Sequence, residues 1–376
     1  MKKPMDFKLK RRRFLTGTAA AAALGAPALA RAQGPIVLRL QSSWPAKSLL
    51  HEYALDFAKK VNDMTGGDVR IEVLAADAAA PASDPLEAVS KGAVDGVHGL
   101  LHDHYARHPA FGLWAAGPAF GMDANLLLAW HRHGGGRQLL ARLYAALGAD
   151  VVSFPYGPMP TQPLGWFQKP IARPQDFRRL RFRASGMAGE IYAGLGATVR
   201  ALPPRELAEA LRRGELDGAE FNNAASDREL GLPEAAKVYM LQSYHQSAEQ
   251  FEILFNKTKF EALPSKIRAI LEIAAHAASA DMAWKAIDRY SAAHAELRAG
   301  KGVRMAKTPD AVLQRQLAAY DAAAAKRRDE PLFREIEESQ RRFAQRAVRW
   351  QLDTQVSPRL AYGHYFEAKP RPRRKR

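Results

Sequence analysis

The chain of 376 residues contains no cysteine. That excludes disulfide staples, thiolate metal sites, a cysteine nucleophile and an N-terminal lipid-modified cysteine, so any metal or catalytic chemistry must use oxygen and nitrogen atoms. It also lacks a G-x-S-x-G elbow, a Walker loop, a dinucleotide fingerprint, an H-E-x-x-H pair and a carboxylate-pair signature. The missing motifs favour binding over catalysis. Acidic residues are few, 39 against 56 lysines and arginines, for a net charge of +17. The excess is confined to the ends. Residues 1–33 hold eight bases and one acid, residues 361–376 hold six bases and one acid, and the 327 residues between carry an excess of only five. A basic face for nucleic acid is therefore not expected. With 47% hydrophobic and 25% charged residues the body has an ordinary globular balance, and its length suits two domains.

The first 32 residues read as an export signal. Lys8-Leu9-Lys10-Arg11-Arg12-Arg13-Phe14-Leu15 precedes an alanine-rich stretch and an A-x-A site at Ala30-Arg31-Ala32. The paired arginines before Phe-Leu resemble a twin-arginine signal, with Lys10 where Ser or Thr is usual. The apolar stretch is too short and alanine-rich for a stable span, and no other candidate follows it. Residues 1–32 are thus expected to be removed. Residues 361–376 are expected to form a basic tail, of which 369–376 have nothing to pack.

Strand, helix and strand patterns alternate through the body: Ile36–Leu40, Leu49–Met64 up to Gly66-Gly67, then Val69–Val73. This predicts α/β layers with mostly parallel pairing. An internal echo refines the prediction. Glu87–Gly96 (EAVSKGAVDG) matches Glu209–Gly218 (EALRRGELDG) at an offset of 122, each a helix ended by a glycine and followed by Asp-Gly and a short strand. Two related lobes imply a cleft, and ligands of open α/β sheets sit beyond the carboxyl ends of strands. The second copy leads directly into Ala219-Glu220-Phe221-Asn222-Asn223. From Leu263 onward helices dominate: Ile267–Arg298, a run from Asp310 to Lys326 with Thr308 as N-cap and Pro309 at the first helical position, and Pro331–Asp353. The last carries Leu332, Phe333, Ile336, Phe343, Val348 and Trp350, too apolar for a solvated helix.

Three constellations carry potential chemistry. In Leu180-Arg181-Phe182-Arg183 the apolar residues face a core and the arginines point the other way, with Arg183 just before a helix start at Gly186–Gly189. A guanidinium there can clamp a carboxylate. Gln162 lies in a loop before the aromatic strand Gly165-Trp166-Phe167, and Glu220 ends a strand from Leu216 to Phe221; these oxygens suit a hard cation or polar ligand. His102-Asp103-His104, with His108, His131 and His133, supplies imidazoles, and i, i+2 spacing would put His102 and His104 on one strand face.

Beyond these, Ser43-Trp44-Pro45, Pro109-Ala110-Phe111, Phe120-Gly121-Met122, Gly134-Gly135-Gly136, Gly165-Trp166-Phe167, Leu180–Arg183 with Gly186 and Gly189-Glu190, Gly214–Gly218, Phe255-Asn256-Lys257 and Asp329–Arg334 occur in an informative order. The chain resembles the periplasmic solute receptors of tripartite ATP-independent (TRAP) transporters, in particular the branch that binds 2-oxo acids and related monocarboxylates such as pyruvate and lactate. The resemblance implies a two-lobed α/β binding-protein fold: residues 33–155 mainly in lobe 1, 156–260 mainly in lobe 2, and 261–360 a helical region crossing back and ending in a dimerisation helix. It implies a periplasmic receptor that is not an enzyme, a small organic acid as ligand, membrane permease subunits as partners and a homodimer. It places the substrate carboxylate on Arg183, with Gln162, Glu220, Phe221, Asn222, Gln246 and His102 around the ligand. A bridging sodium or calcium would take oxygen from Gln162, Glu220, the Phe221 carbonyl and Gln246. Three departures stand out: Phe221 replaces the usual Trp, His245-Gln246-Ser247 stands for His-Glu-Pro, and His102-Asp103-His104 replaces an aromatic pair. With Gln246 neutral, one protein carboxylate is expected at the cation, which would bind weakly and in mutual dependence with the acid. A periplasmic α/β hydrolase and a histidine-based metal carrier are the alternatives. Ester or phosphate turnover would mark the first, zinc retained through purification the second.

Overall fold

The structure is a computed structural model and describes residues 34–76 and 84–367. The export signal and the tail beyond residue 367 lie outside these residues; the first part of the expected tail, from residue 361, belongs instead to a helix, Pro358–Phe366. Among the described residues eleven strands follow in chain order: β1 (Ile36–Ser42), β2 (Val69–Leu74), β3 (Gly96–Leu100), β4 (Val151–Met159), β5 (Gly165–Phe167), β6 (Arg181–Arg183), β7 (Thr198–Arg200), β8 (Gly218–Ala219), β9 (Val238–Met240), β10 (Glu249–Asn256) and β11 (Arg304–Ala306). They make two sheets, ordered β2-β1-β3-β10-β4 and β11-β9-β5-β8-β6-β7. The two-lobed α/β architecture expected from the sequence is the one observed. The pairing is mixed rather than mostly parallel: β1–β3, β6–β7, β6–β8 and β9–β11 run parallel, but β10 is antiparallel to both β3 and β4, and β5 to both β8 and β9. β10 falls late in the stretch expected mainly in the second lobe, yet it is wedged between strands of the first sheet.

Local signals set these elements. Ser48 caps the helix Leu49–Met64 by accepting from Leu50 N at 3.2 Å, and Leu50, Tyr53, Ala54, Phe57, Ala58 and Val61 form its buried stripe. The echoed segments have the same wiring. Helices Pro85–Ser90 and Leu207–Arg212 end before Gly92 and Gly214, which take φ of +73° and +67°, where a Cβ would be strained. Asp95 Oδ2 then accepts from Arg39 N at 2.7 Å while Asp95 N donates to Arg39 O at 3.0 Å. Asp217 repeats this on Arg181, at 2.9 and 2.8 Å. The next residue begins the parallel pairing in each sheet, Gly96 opposite Leu40 and Gly218 opposite Phe182. A Cβ on Gly96 would sit 2.7 Å from Leu254 O, and one on Gly218 2.9 Å from Trp166 O, so both positions need a bare backbone.

The C-terminal region consists of helices Ser265–Ala299, Asp310–Ala325, Pro331–Thr354 and Pro358–Phe366, with β11 among them on the second sheet. Two expectations change. The helix at 310 begins one residue later than its sequence signal, with Pro309 in the N-cap position and Thr308 buried without a hydrogen bond from its hydroxyl. The apolar stripe of Pro331–Thr354 also finds its partner mostly within this chain. Phe333 and Ile336 are fully buried in the core that holds Trp114 and Trp130, and Leu332, Phe343 and Val348 pack against that core. Only from Trp350 on does the apolar surface face solvent, with Leu352, Leu360, Tyr362, Tyr365 and Phe366. Among the described residues no helix is long and apolar enough to cross a membrane.

Candidate functional site

β6 and β8 run side by side, and the residues at their carboxyl ends meet. Phe182 is buried in the core, so alternation turns Arg183 to the other side of β6. Arg183 is nevertheless buried. Its Nη1 donates to Glu220 O at 2.9 Å and Glu220 Oε1 at 3.0 Å, and its Nε donates to Leu202 O at 3.2 Å. Nη2 has no partner among the described residues, which leaves one edge of the guanidinium for a ligand. Glu220 does not lie within a long strand, because β8 stops at Ala219. Burial raises its carboxyl to about 7, while Arg183 pulls it back.

The loop before β5 closes on the same place. Gln162 Nε2 donates to Phe221 O at 2.8 Å, Gln162 Oε1 lies 3.1 Å from His245 Nε2, and Gln162 N donates to Gln246 O at 3.1 Å. Tyr192 and Ser243 stand beside His245 Nδ1, at 3.2 and 2.6 Å. Burial lowers His245 to about 3, so the ring is neutral and serves as a hinge post for the Gln162 amide. Asn222 is buried too, but its Oδ1 accepts from Asn223 Nδ2 and its backbone N–H donates to Asp227 Oδ1 at 3.2 Å. Asp227 in turn accepts from Trp166 Nε1 at 2.8 Å and is raised to about 7 by burial. Phe221 presents its ring to Arg183, 5.9 Å from the guanidinium carbon, in place of an indole.

The structure brings Arg183, Gln162, Glu220 and Phe221 together as the sequence suggested, with Gln246 bound to the Gln162 backbone. His102 joins from the turn after β3 of the first sheet: its Nε2 lies 2.9 Å from Ser185 Oγ, ahead of the helix Gly186–Leu195. Burial lowers its pKa, and the Arg183 charge acts in the same direction. The expected strand face of His102 and His104 is wrong. Leu101–His104 is a 3-10 turn, and His104 points away into a buried cluster, 2.9 Å from Glu252 Oε1, with Tyr144 and Ser153 donating to the same carboxylate. His131 Nδ1 accepts from Trp114 Nε1 at 3.1 Å in the core, and His108 Nδ1 caps Ala110 N. The histidines are thus dispersed, and among the described residues no three His, Asp or Glu side chains converge as a metal site.

The oxygen set of Gln162, Glu220 and the Phe221 carbonyl fits a hard cation. One rearrangement is required. The Gln162 amide now turns its N–H toward Phe221 O, so binding needs it to turn over and exchange Oε1 with Nε2, after which His245 Nε2 would accept rather than donate. Two further buried polar groups lie nearby and face each other: the Gln246 amide, and the carboxyl of Glu249 at the start of β10. Burial raises Glu249 to about 8, with Glu220 and Asp103 pushing the same way and Gln246 and Arg183 pulling back. Sequence reading missed Glu249, although two acids in the otherwise apolar run from Phe251 to Phe255 and its approach, Glu249 and Glu252, are a legible signal, since buried strands rarely carry charge.

The chain is 28% identical over 324 residues to a monocarboxylate 2-oxoacid-binding periplasmic protein of Nostoc, covering 85% of this chain and 87% of the relative. A TRAP transporter solute-binding protein from Bordetella bronchiseptica, a dimer of mixed occupancy with copurified calcium and picolinate in its active site, superposes with a TM-score of 0.80 at 26% identity, over 88% of this chain and 97% of the other. A TRAP periplasmic solute-binding protein from Pseudoalteromonas atlantica, with bound sodium and pyruvate, gives 0.80 at 25% identity, over 89% and 100%. The model of the bacterial extracellular solute-binding proteins of family 7 matches residues 40–328, the segment that carries every residue of the site and both sheets apart from the start of β1, and the chain belongs to that family.

Proposed function

We propose that this chain is the periplasmic receptor of a TRAP transporter, that it binds a small 2-oxo or 2-hydroxy monocarboxylate such as pyruvate or lactate, and that it catalyses no reaction. The observation that carries this reading is Arg183: a buried guanidinium held on three sides by Glu220 and Leu202, with Nη2 open. A carboxylate docked there exchanges water for a charge-assisted pair in a partly dry cleft. A cation on Gln162, Glu220 and the Phe221 carbonyl would supply positive charge for the 2-oxo or 2-hydroxy oxygen and the second carboxylate oxygen. Gln246 and His102 complete the wall.

The lobes are assigned as residues 33–155 mainly to the first and 156–260 mainly to the second, with β10 returned to the first sheet and 261–360 crossing back. Ligand-driven closure of the lobes gives a permease two states to distinguish. The apolar surface from Trp350 to Phe366 serves a homodimer, and Trp284 and Ile287, two thirds exposed on one face of Ser265–Ala299, offer a matching patch. The Bordetella relative is a dimer. Calorimetric titration with pyruvate, lactate and longer 2-oxo acids, together with mass spectrometry of ligand released from gently purified protein, tests the reading. Failure of every monocarboxylate to bind with sodium or calcium present would overturn it.

A further inference from the structure

We propose that Ser243 and Gln316 are positioning residues of the ligand site: by fixing which nitrogen of His245 carries its proton they fix which way the Gln162 amide faces, and a cation is taken up only when this hydrogen-bond relay reverses. The inference rests on the receptor function proposed above and adds a control on its ion.

The relay is bracketed by two backbone groups that cannot change role. At one end Tyr244 N–H, which can only donate, donates to Gln316 Oε1 at 2.9 Å. The Gln316 amide is thereby oriented, and its Nε2 donates to Ser243 Oγ at 2.7 Å. Ser243 Oγ also accepts from His245 N at 3.2 Å, so both of its lone pairs are used. Its own proton then goes to His245 Nδ1, 2.6 Å away. Tyr192, also beside Nδ1, directs its hydroxyl proton to Leu164 O at 2.7 Å. Burial keeps the imidazole neutral, so with Nδ1 accepting, the single ring proton sits on Nε2, which donates to Gln162 Oε1 at 3.1 Å. At the far end Phe221 O, which can only accept, receives Gln162 Nε2 at 2.8 Å. His245 and Gln316 are completely buried, and Ser243 and Gln162 nearly so.

This polarity satisfies every member, and its reverse does not. Turning the Gln162 amide over to aim Oε1 at an ion sets its Nε2 against the Nε2–H of His245, donor against donor. Reversal is complete only if the ring proton leaves Nε2 to water and another is taken from water at Nδ1, the ring staying neutral. Even where the Tyr192 oxygen then accepts from Nδ1, the Ser243 proton is left without an acceptor. An unpaired buried donor shifts an equilibrium by about 10-fold or more. Gln316, on the helix Asp310–Ala325, thus holds down cation affinity without touching the ion.

The test compares chelator-treated wild type with Ser243→Ala and Gln316→Met, titrated calorimetrically with calcium and with sodium. Long-range 15N spectra of histidine-labelled protein read the tautomer, His245 being assigned from the signals lost in His245→Asn. Ion-free wild type should carry its proton on Nε2 and move it to Nδ1 when saturated with ion. Ser243→Ala removes the proton that reversal strands, and Gln316→Met removes the amide that aims it, so each should bind the ion about 10-fold more tightly than wild type; a purely structural role predicts weaker binding. An Nδ1–H tautomer in ion-free wild type, ion affinity unchanged or weakened in both folded variants, or no binding of either ion by any of the three proteins overturns the proposal. The wild-type spectra, without and with ion, decide it should the variants fail to fold. Pyruvate titration of the same samples reads the receptor function separately: that function stands if pyruvate binds while the relay fails, and falls alone if the relay behaves as described and no monocarboxylate binds.

Discussion

Replacing Arg183 probes the ligand carboxylate and the internal pair with Glu220 together. A guanidinium has five N–H donors. Three are committed, two to Glu220 and one to Leu202 O, and the Nη2 pair is open for the ligand. Arg183→Ala removes the ligand's counter-charge and strands the Glu220 carboxylate, whose pKa, already about 7, must rise further because Arg183 is the group that holds it down. A protonated Glu220 is also a poorer cation ligand. Losing one partner of a buried charge pair costs roughly 2 to 5 kcal/mol, so the dissociation constant for the preferred acid should rise about 30- to 5,000-fold. Arg183→Lys is the more informative variant. An ammonium has three donors on one atom; serving Glu220 O, Glu220 Oε1 and Leu202 O would exhaust them, leaving the ligand a point charge without directed bonds, and about 10- to 100-fold weaker binding is expected. Calorimetry with pyruvate in calcium reads the loss, and circular dichroism and thermal melting establish that each variant is folded. Wild-type affinity in a folded Arg183→Ala protein would refute the reasoning, and so would a Lys variant that binds as well as the wild type.

In ion-free and ligand-free protein, stability should fall as pH rises from about 6.5 to 8. Glu220, Asp227 and Glu249 keep protons in the folded state up to about 7 or 8 that the unfolded chain has already released, so each withdraws up to ~1.4 kcal/mol per pH unit as pH climbs toward its folded value. Below about 6.5 the buried neutral His98, His131 and His245, each near 3, oppose them, because the unfolded chain takes up protons there; melting temperatures across pH 5 to 8 should show a plateau and then a decline, and a rise toward pH 8 would contradict the assignment. Gly96→Ala and Gly218→Ala should each destabilise by about 1 to 3 kcal/mol through contact with a facing carbonyl. Only Gly218→Ala should also weaken acid binding several-fold, since Ala219 and Glu220 follow it directly; denaturant melts and titrations separate the two effects. The proposed homodimer should dissociate in Trp284→Glu, and a wild type that sediments as a monomer at micromolar concentration would refute that role for the exposed apolar surface.

Much of the architecture was legible because it is written in short-range signals. The Gly92/Gly214 and Asp95/Asp217 echo is a local wiring rule that needs no tertiary knowledge, and it marked the equivalent parallel pairs of the two sheets. Arg183 was legible for the same reason, as the alternation in Leu180–Arg183 aims it away from the core. What stayed hidden was set by distant chain segments. His102 and His104 are two residues apart, but Gly99–Leu100 leads into a 3-10 turn that sends one to Ser185 and the other to Glu252. The apolar stripe from Leu332 to Val348 announced a need for cover without saying that Trp130 and its neighbours in the same chain would supply it. The pairing of Gln162 with His245 stayed hidden because it joins the loop before β5 to a residue 83 positions later.

The position of β10 dictates an order of assembly. β5, β6, β7, β8 and β9 all lie between residues 165 and 240, so most of the second sheet can zip up as soon as that stretch exists, lacking only its edge strand β11. The first sheet begins earlier and finishes later, because β3 and β4 are joined only through β10, at residues 249–256. Sequence separation slows such pairings. The N-terminal strands must therefore wait with β3 unpaired on one side, an aggregation-prone edge, and pulsed hydrogen exchange during refolding should protect amides of β5 and β9 before those of β3. The same topology means that a chain cut between residues 160 and 248 leaves the first sheet divided across two pieces, so the front of the molecule cannot be isolated as a stable fragment.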